Sequence, residues 1–134
     1  SELFPRGTAA RSALRALRDG KILAMTYDQN CGREHGVFVP FFGRLACTRT
    51  GPPRIAMRTG APILPVASYF RPDGGHHVVI RPPIPVVRDA EDRSAEVARV
   101  TGEIARELEG LIRRAPEQWH LLQPNWPSDR ERSS

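Results

Sequence analysis

Three groups of side chains in this 134-residue sequence have both the chemical type and the placement to act on a ligand. Asp28 directly follows the apolar run of residues 21–27, which predicts a strand, and Gln29 stands beside it. Because open α/β sheets bind ligands beyond the carboxyl ends of their strands, Asp28 is a candidate site residue by position. The alternative is that its carboxylate only stabilises a turn, as aspartate often does.

The second group precedes and begins a predicted helix. Thr50 and Gly51 stand in front of it, and Arg54 and Arg58 lie one turn apart within it. Free backbone N–H groups at a helix start and two guanidinium groups are suited to bind a phosphate. An ordinary capped surface helix explains the same residues, and the sequence leaves both interpretations open.

The third group is aromatic and consists of Phe38, Phe41 and Phe42. A hydrocarbon chain has no polar atoms, so a protein holds it only by burying apolar area. The three rings therefore predict either the wall of a groove for such a chain or plain hydrophobic core.

Other kinds of chemistry lack the residues that they need. A histidine that activates a hydroxyl needs a carboxylate partner, and no carboxylate stands five residues beyond His35, His76, His77 or His120. The glycine spacing matches neither a P-loop nor a dinucleotide-binding turn, and Cys31 and Cys47 are not at metal-ligand spacing. We therefore expect no metal and no cofactor, and we expect His76 and His77 to lie on an exposed hairpin.

The composition indicates a folded globular domain. With 40% hydrophobic and 26% charged residues, the chain is neither disordered nor of low complexity, and no run approaches the roughly 20 apolar residues of a membrane span. Lys21 is the only lysine among the 20 basic residues, and the net charge is +5. Such an arginine excess favours nucleic acid, phospholipid head groups or acidic carrier proteins as partners, although a high-GC genome also produces it.

Helices and strands are predicted to alternate along the chain. The expected elements are a helix over 9–19, a strand buried on both faces over 21–27, an apolar loop with a short strand over 31–47, a helix from Thr48 or Thr50 to Gly60, a hairpin of strands over 61–70 and 76–80, and a helix over 93–114. This order predicts an α/β fold with a mixed sheet flanked by helices. We expect one domain over residues 1–134, ending in a polar tail over 120–134. The start in motif-like sequence without an initiator methionine predicts that the domain is partial and lacks its N-terminal portion.

The long helix is predicted to present two different faces. One carries an apolar stripe, formed by Val97, Val100, Ile104, Leu108 and Leu111, and the other carries Arg99, Arg106 and Arg113. The stripe is expected to pack against the core and the arginine row to face solvent.

Taken in order, short segments of the chain resemble the C-terminal half of the bacterial lipid A biosynthesis acyltransferase family, the lauroyl and myristoyl transferases. The segments are L-R-D-G-K-I-L, D-Q-N-x-G, V-F-V-P-F-F-G, T-x-T-G, G-A-P-I-L-P-V, R-P-D-G-G, R-P-P-I and P-E-Q-W, between about Leu14 and Trp119. Each segment alone is weakly specific, whereas the set in this order with these gaps is specific. From Trp119 to Gln123 the sequence is more similar to phosphatidylinositol mannoside acyltransferases, which leaves the acceptor lipid open.

The resemblance implies the C-terminal half of a glycerolipid-acyltransferase-like α/β domain. It also implies transfer of a fatty acyl group from an acyl carrier protein or coenzyme A thioester to a hydroxyl of a membrane glycolipid, at the cytoplasmic face of the bacterial inner membrane. In that superfamily a histidine with an acidic residue five positions on is the base, and this chain has no such pair, so we expect the chain alone to be inactive. Asp28 matches the family's acidic residue in the Asp-Gln motif.

The remaining site residues are carried over in the same way. The resemblance places Thr50 and Arg54 at the border of the site, and it suggests contact of Gln29 and the three phenylalanines with substrate. No nucleic acid is expected as a partner. The alternative function is an arginine-rich module that binds anionic lipid or nucleic acid without catalysis, through Arg11, Arg15, Arg18, Arg54 and Arg58.

Overall fold

The computed structural model describes residues 9–27 and 36–119, so that Asp28 and Gln29 lie outside the described residues. The elements in chain order are α1 (Ala9–Arg18), β1 (Gly36–Phe41), β2 (Arg44–Arg49), α2 (Gly51–Thr59), β3 (Val66–Phe70), β4 (His76–Ile80), α3 (Arg93–Arg114) and a 3-10 turn at Pro116–Gln118. All three predicted helices are present. Among the described helices, none combines the length and the hydropathy needed to cross a bilayer.

Local capping explains where α2 ends and where α3 begins. Gly60 follows α2 in the left-handed conformation, and its N–H donates to the carbonyl oxygen of Ala56, which is the stop expected of a C-terminal glycine. Asp92 begins α3 by accepting a hydrogen bond on its side chain from the N–H of Ala95. These contacts are local, and so the sequence predicted the helix boundaries to within a residue.

The helix α3 organises the core. Its side chains enter two hydrophobic clusters: Ala105 packs with Val39, Phe41 and Ala46 of the first hairpin, while Val100 and Ile104 pack with Ile84. The predicted stripe is confirmed, since Val97, Val100, Ile104 and Leu111 are buried and Leu108 is partly buried.

The segment between Cys31 and Cys47 corrects the expectation of a loop with one short strand. Strands β1 and β2 pair antiparallel from Gly36–Arg49 to Phe41–Arg44. The two residues between them, Phe42 and Gly43, have φ angles of 51° and 75°, as in the two-residue turns that match the twist of paired strands. A phenylalanine at positive φ is uncommon, and so the sequence did not mark this turn.

The second predicted hairpin is confirmed. Strands β3 and β4 pair antiparallel from Val66–Ile80 to Phe70–His76. Strand β3 begins at Val66, whereas the predicted strand began at residue 61. Pro62 and Pro65 lack the N–H groups that a continuous ladder of hydrogen bonds uses. Only an isolated bridge between Ile63 and Ile84 precedes β3. The face with Tyr69 lies toward α3, where its hydroxyl donates to the carbonyl oxygen of Leu111 over 2.5 Å.

The opposite face of the β3–β4 hairpin carries four exposed apolar residues together with Ser68 and His76. Val66, Phe70, Val78 and Ile80 share it, and between 48% and 68% of each residue is exposed. A two-stranded sheet with one apolar face open to water is only marginally stable by itself, so its packing on α3 holds it in place.

The prediction of a buried strand over 21–27 is wrong. None of these residues belongs to a strand, and Ile22 is 95% exposed. A strand needs a neighbour that pairs with it, and each described strand pairs within its own hairpin. The order of helices and strands is compatible with the α/β class, whereas the described strands form two separate antiparallel pairs in place of a mixed sheet.

Candidate functional site

The first residues of α2 bring together Thr50 and Arg54, two of the predicted site residues. The Nε of Arg54 donates to the hydroxyl oxygen of Thr50 over 3.0 Å, and the backbone N–H of Arg54 donates to the carbonyl oxygen of Thr50 over 3.2 Å. Thr50 is buried, at 9% exposure, whereas Arg54 is exposed. The threonine therefore anchors the inner end of a guanidinium group whose outer end faces solvent.

The outer end of that guanidinium is available to a ligand. Within the part of the chain that the structure describes, the Nη atoms of Arg54 make no hydrogen bond or ion pair. Two parallel N–H groups of an arginine match the oxygens of a phosphate or carboxylate. The Thr50 side chain does not cap the helix, and so its hydroxyl serves to orient Arg54 instead of closing the α2 terminus.

The segment that leads to Asp28 ends beside the same turn. The hydroxyl of Tyr27 donates to the carbonyl oxygen of Arg49 over 2.6 Å, one residue before Thr50. A Cβ added to Gly51 would lie 3.4 Å from the Cε of Met25. These contacts place the last residues before Asp28 next to the start of α2. The positions of Asp28 and Gln29 themselves stay predictions.

The three phenylalanines do not share one surface. Phe41 is 6% exposed and belongs to the core cluster on α3. Phe42 is partly buried and stacks on the ring of Trp119, with 5.8 Å between the ring centroids. Phe38 points away from that cluster, because it is one residue before Val39 on an extended strand, and it is 45% exposed. Of the three, Phe38 offers the most surface to a ligand.

Phe42 has further contacts that hold it in its turn. Its N–H donates to the carboxylate of Glu109, and the guanidinium of Arg113 lies 5.2 Å from the centre of its ring. Arg113 also bonds the carboxylate of Glu109 over 3.2 Å. The turn between β1 and β2 is thus tied to the last turns of α3.

Titratable groups suited to catalysis are not gathered in the described residues. His76 and His77 are exposed on β4, as expected, and neither forms an ion pair with a carboxylate there. No group of three or more potential metal ligands occurs among residues 9–27 and 36–119. Among the described residues, Glu96 has a carboxyl pKa below its usual value. This residue lies in a structural contact on α3 and not beside Thr50 and Arg54.

Comparison with known proteins shows the family. The family model named bacterial lipid A biosynthesis acyltransferase matches residues 1–128. The chain belongs to this family. Membership confirms the resemblance seen in the sequence and makes this an acyltransferase-family chain.

Individual members of the family are similar over most of the chain. The phosphatidylinositol mannoside acyltransferase of Mycolicibacterium smegmatis is 30% identical over 113 residues, which are 84% of this chain and 34% of that protein. The protein of the same name from Mycobacterium tuberculosis strain H37Rv is 31% identical over 113 residues, 84% of this chain and 33% of that protein. The lipid A biosynthesis lauroyltransferase of Escherichia coli K12 is 32% identical over 116 residues, 84% of this chain and 36% of that protein. The chain spans about a third of the length of these curated relatives.

Sequence reasoning missed the bond from Arg54 to Thr50, although its signal was present. Residues four apart on a helix lie on the same face, and Thr50 and Arg54 have that spacing. The contact of Tyr27 with Arg49 had no such signal, because it joins segments 22 residues apart.

Proposed function

We propose that this chain is the part of an acyltransferase that contacts the acceptor lipid and the acyl chain. The reaction moves a fatty acyl group from a thioester of acyl carrier protein or coenzyme A to a hydroxyl of a membrane glycolipid. Family membership and relatives named for acyl transfer to lipid A and to phosphatidylinositol mannoside support this proposal. The observation that carries it at residue level is the Thr50–Arg54 pair, which presents an oriented guanidinium near Tyr27, the last described residue before Asp28.

The proposed step is nucleophilic attack on a thioester. The acceptor hydroxyl oxygen forms a bond to the thioester carbonyl carbon, the carbon–sulfur bond breaks, and the hydroxyl proton ends on the leaving thiol. A base must take that proton as the oxygen attacks. The sequence contains no histidine with a carboxylate five residues on, so we propose that the base belongs to sequence outside this chain and that the chain alone is inactive.

The residues of this chain have separate proposed roles. Arg54 binds a phosphate of the substrate, and Thr50 orients it. Asp28 is an acidic supporting group, and Gln29 assists it through its side-chain amide. Phe38 contacts the acyl chain with its exposed ring, while Phe41 and Phe42 support the hairpin from its core side.

The substrates suggest where the enzyme works. Acyl thioesters are made inside the cell and the acceptor glycolipid lies in a membrane, so we propose action at the cytoplasmic face of the bacterial inner membrane. The net charge of +5 favours approach to anionic lipid head groups and to acidic carrier proteins.

The test uses a complete protein that carries this segment, an acyl thioester and a glycolipid acceptor. We expect Asp28→Ala to remove most of the acyl transfer. The matched control is Asp73→Ala, because Asp73 lies in the exposed β3–β4 turn, where it pairs with Arg71 over 3.0 Å, and we expect that variant to stay active. Equal rates for the two variants would contradict the role of Asp28.

A second measurement tests the 134-residue chain alone. We expect no acyl transfer above the uncatalysed rate, and turnover well above it would contradict the missing base. A salt titration of DNA binding tests the arginine-rich alternative, since phosphate contacts weaken steeply as salt rises. Tight, salt-dependent DNA binding without acyl transfer in the complete protein would favour that alternative.

A further inference from the structure

A cavity of about 450 Å³ lies between the C-terminal turns of α1 and α2. Leu14 and Leu17 of α1 and Ala61 after α2 form its apolar lining, and Gly60 adds backbone. Its size is within the range of pockets that hold small ligands. It lies at the end of α2 opposite to Thr50, about 12 Å away along a helix of this length. Neither Thr50 nor Arg54 lines the cavity, although its Arg58 lies one turn beyond Arg54 on α2.

Two arginines without an acidic partner line the same cavity. Arg18 comes from α1 and Arg58 from α2, and both are exposed. Neither makes an ion pair or side-chain hydrogen bond within residues 9–27 and 36–119, and no carboxylate lines the cavity. By contrast, four other arginines bond carboxylates: Arg71, Arg81, Arg99 and Arg113.

A third arginine reduces the repulsion of an anion at the end of α2. The C-terminal end of a helix carries partial negative charge, which repels anions. At the end of α2, Arg88 donates from Nε to the carbonyl oxygen of Met57 and from Nη2 to that of Arg58, each over 3.3 Å. These bonds satisfy two carbonyl groups in the last turn of α2. Gly60 permits this approach, because a Cβ there would lie 2.9 Å from the Nη1 of Arg88.

We infer that this cavity binds a phosphate group joined to an apolar chain. The guanidinium groups of Arg18 and Arg58 bind the phosphate oxygens, and the leucine side chains cover the first part of the apolar chain. Arginine suits this task because its planar group donates two parallel hydrogen bonds to a phosphate. The inference goes beyond the proposed function, since it concerns binding at a different place and stands whether or not the chain takes part in acyl transfer.

Such a ligand has two sources in lipid chemistry, a phospholipid head group and an acyl coenzyme A. Isothermal titration calorimetry on the 134-residue chain, at concentrations where light scattering shows no association, compares three probes: dihexanoyl phosphatidylinositol, octanoyl coenzyme A and inorganic phosphate. We expect at least one of the two amphipathic phosphates to bind at least tenfold more tightly than inorganic phosphate, because only they also bury apolar area. The probe that binds identifies the source.

The variant Arg18→Gln/Arg58→Gln tests the assignment. Each lost hydrogen bond to a charged group is expected to weaken binding by about tenfold, so the double variant should weaken it by about 100-fold. The matched control is Arg11→Gln/Arg15→Gln, which removes the same charge from α1 at exposed arginines that do not line the cavity. We expect this control to bind nearly as the unmodified chain does.

Three results would overturn the inference. They are no binding of either amphipathic phosphate, unchanged binding in the Arg18/Arg58 variant, and equal losses in the two double variants, which would indicate long-range charge attraction only. Circular dichroism of both variants checks that helix content is unchanged. Acyl transfer is not a readout here, and so a failure of this inference is distinguishable from a failure of the proposed function.

Discussion

The carboxylate of Glu96 is predicted to stabilise the fold in a pH-dependent way. Glu96 lies in the first turn of α3, and its side chain is 9% exposed. It accepts hydrogen bonds from Arg99 Nε over 2.9 Å, from Arg99 Nη2 over 2.6 Å and from the N–H of Val87 over 2.8 Å. The bonds from Arg99, followed by the bond from Val87, lower the pKa of Glu96 from 4.5 to about 2. The contact joins α3 to the connector that follows β4.

The size of the effect follows from that pKa. At about 1.4 kcal/mol per pH unit, the difference between 4.5 and about 2 corresponds to an upper limit of about 3.5 kcal/mol. Arg99 is 40% exposed, so solvent screens the interaction, and we expect about 1–2 kcal/mol. Because the folded-state pKa is the lower one, this stabilisation is present above about pH 4.5 and is lost as the pH falls toward about 2.

Replacing Glu96 by glutamine tests this reasoning. Urea unfolding is followed by circular dichroism at several pH values, at chain concentrations where light scattering shows no association. We expect Glu96→Gln to lower the free energy of unfolding by about 1–2 kcal/mol at neutral pH and to flatten its dependence on pH between 4.5 and 2. The control is Glu91→Gln, because Glu91 is exposed and has no ion-pair partner among the described residues. An unchanged pH dependence in Glu96→Gln would refute the argument.

Three further experiments test the fold. Gly60→Ala should lower the free energy of unfolding by about 1–2 kcal/mol, because Gly60 has a φ of 77°. Gly110→Ala should raise it by about 0.5–1 kcal/mol, because Gly110 lies in a helix and a Cβ there would have nothing within 4 Å. Urea titrations in which both variants shift the stability in the same direction would contradict this. Phe41→Ala should lower the free energy of unfolding by about 3–5 kcal/mol and Phe38→Ala by much less, since the exposures of Phe41 and Phe38 are 6% and 45%. Similar losses for the two variants in urea titrations would show that burial does not separate them. The isolated chain should associate and bind an apolar dye through the open face of the β3–β4 hairpin. Ile80→Thr, at a residue that is 63% exposed, should reduce both the association and the dye binding. A monodisperse chain that binds no dye would disprove this.

The sequence predicted those features that depend on neighbours within one or two turns. The stripe from Val97 to Leu111 repeats with the helical period, and Gly60 ends α2 through a local hydrogen bond. The family resemblance was also visible, because it rests on segment order and spacing. The Thr50–Arg54 bond has the same short range, since four residues separate its members, although it was not predicted.

Two strand predictions failed for opposite reasons. The run over 21–27 has the composition of a strand, yet pairing requires a neighbour, and the described strands pair elsewhere. The β1–β2 hairpin does form, although its turn contains Phe42 at positive φ in place of a typical turn residue. Contacts of Phe42 with Glu109, Arg113 and Trp119 hold it there. Residues 67 or more positions away thus decide a local conformation.

Tertiary structure added contacts to charges that the helix already pairs. Arg99 belongs to a row that the sequence assigned to solvent, yet it bonds Glu96 and Glu103 three and four residues away on its own helix, and the fold adds the carbonyl oxygen of Pro85. From the sequence, Arg58 was grouped with Arg54 and Arg18 was named only in the arginine-rich alternative, and only the packing of α1 against α2 brings Arg18 and Arg58 to one cavity. The physical reason is one of range: helix periodicity and capping act within a few residues, whereas strand pairing, ion pairs between segments and cavities depend on which surfaces meet in space.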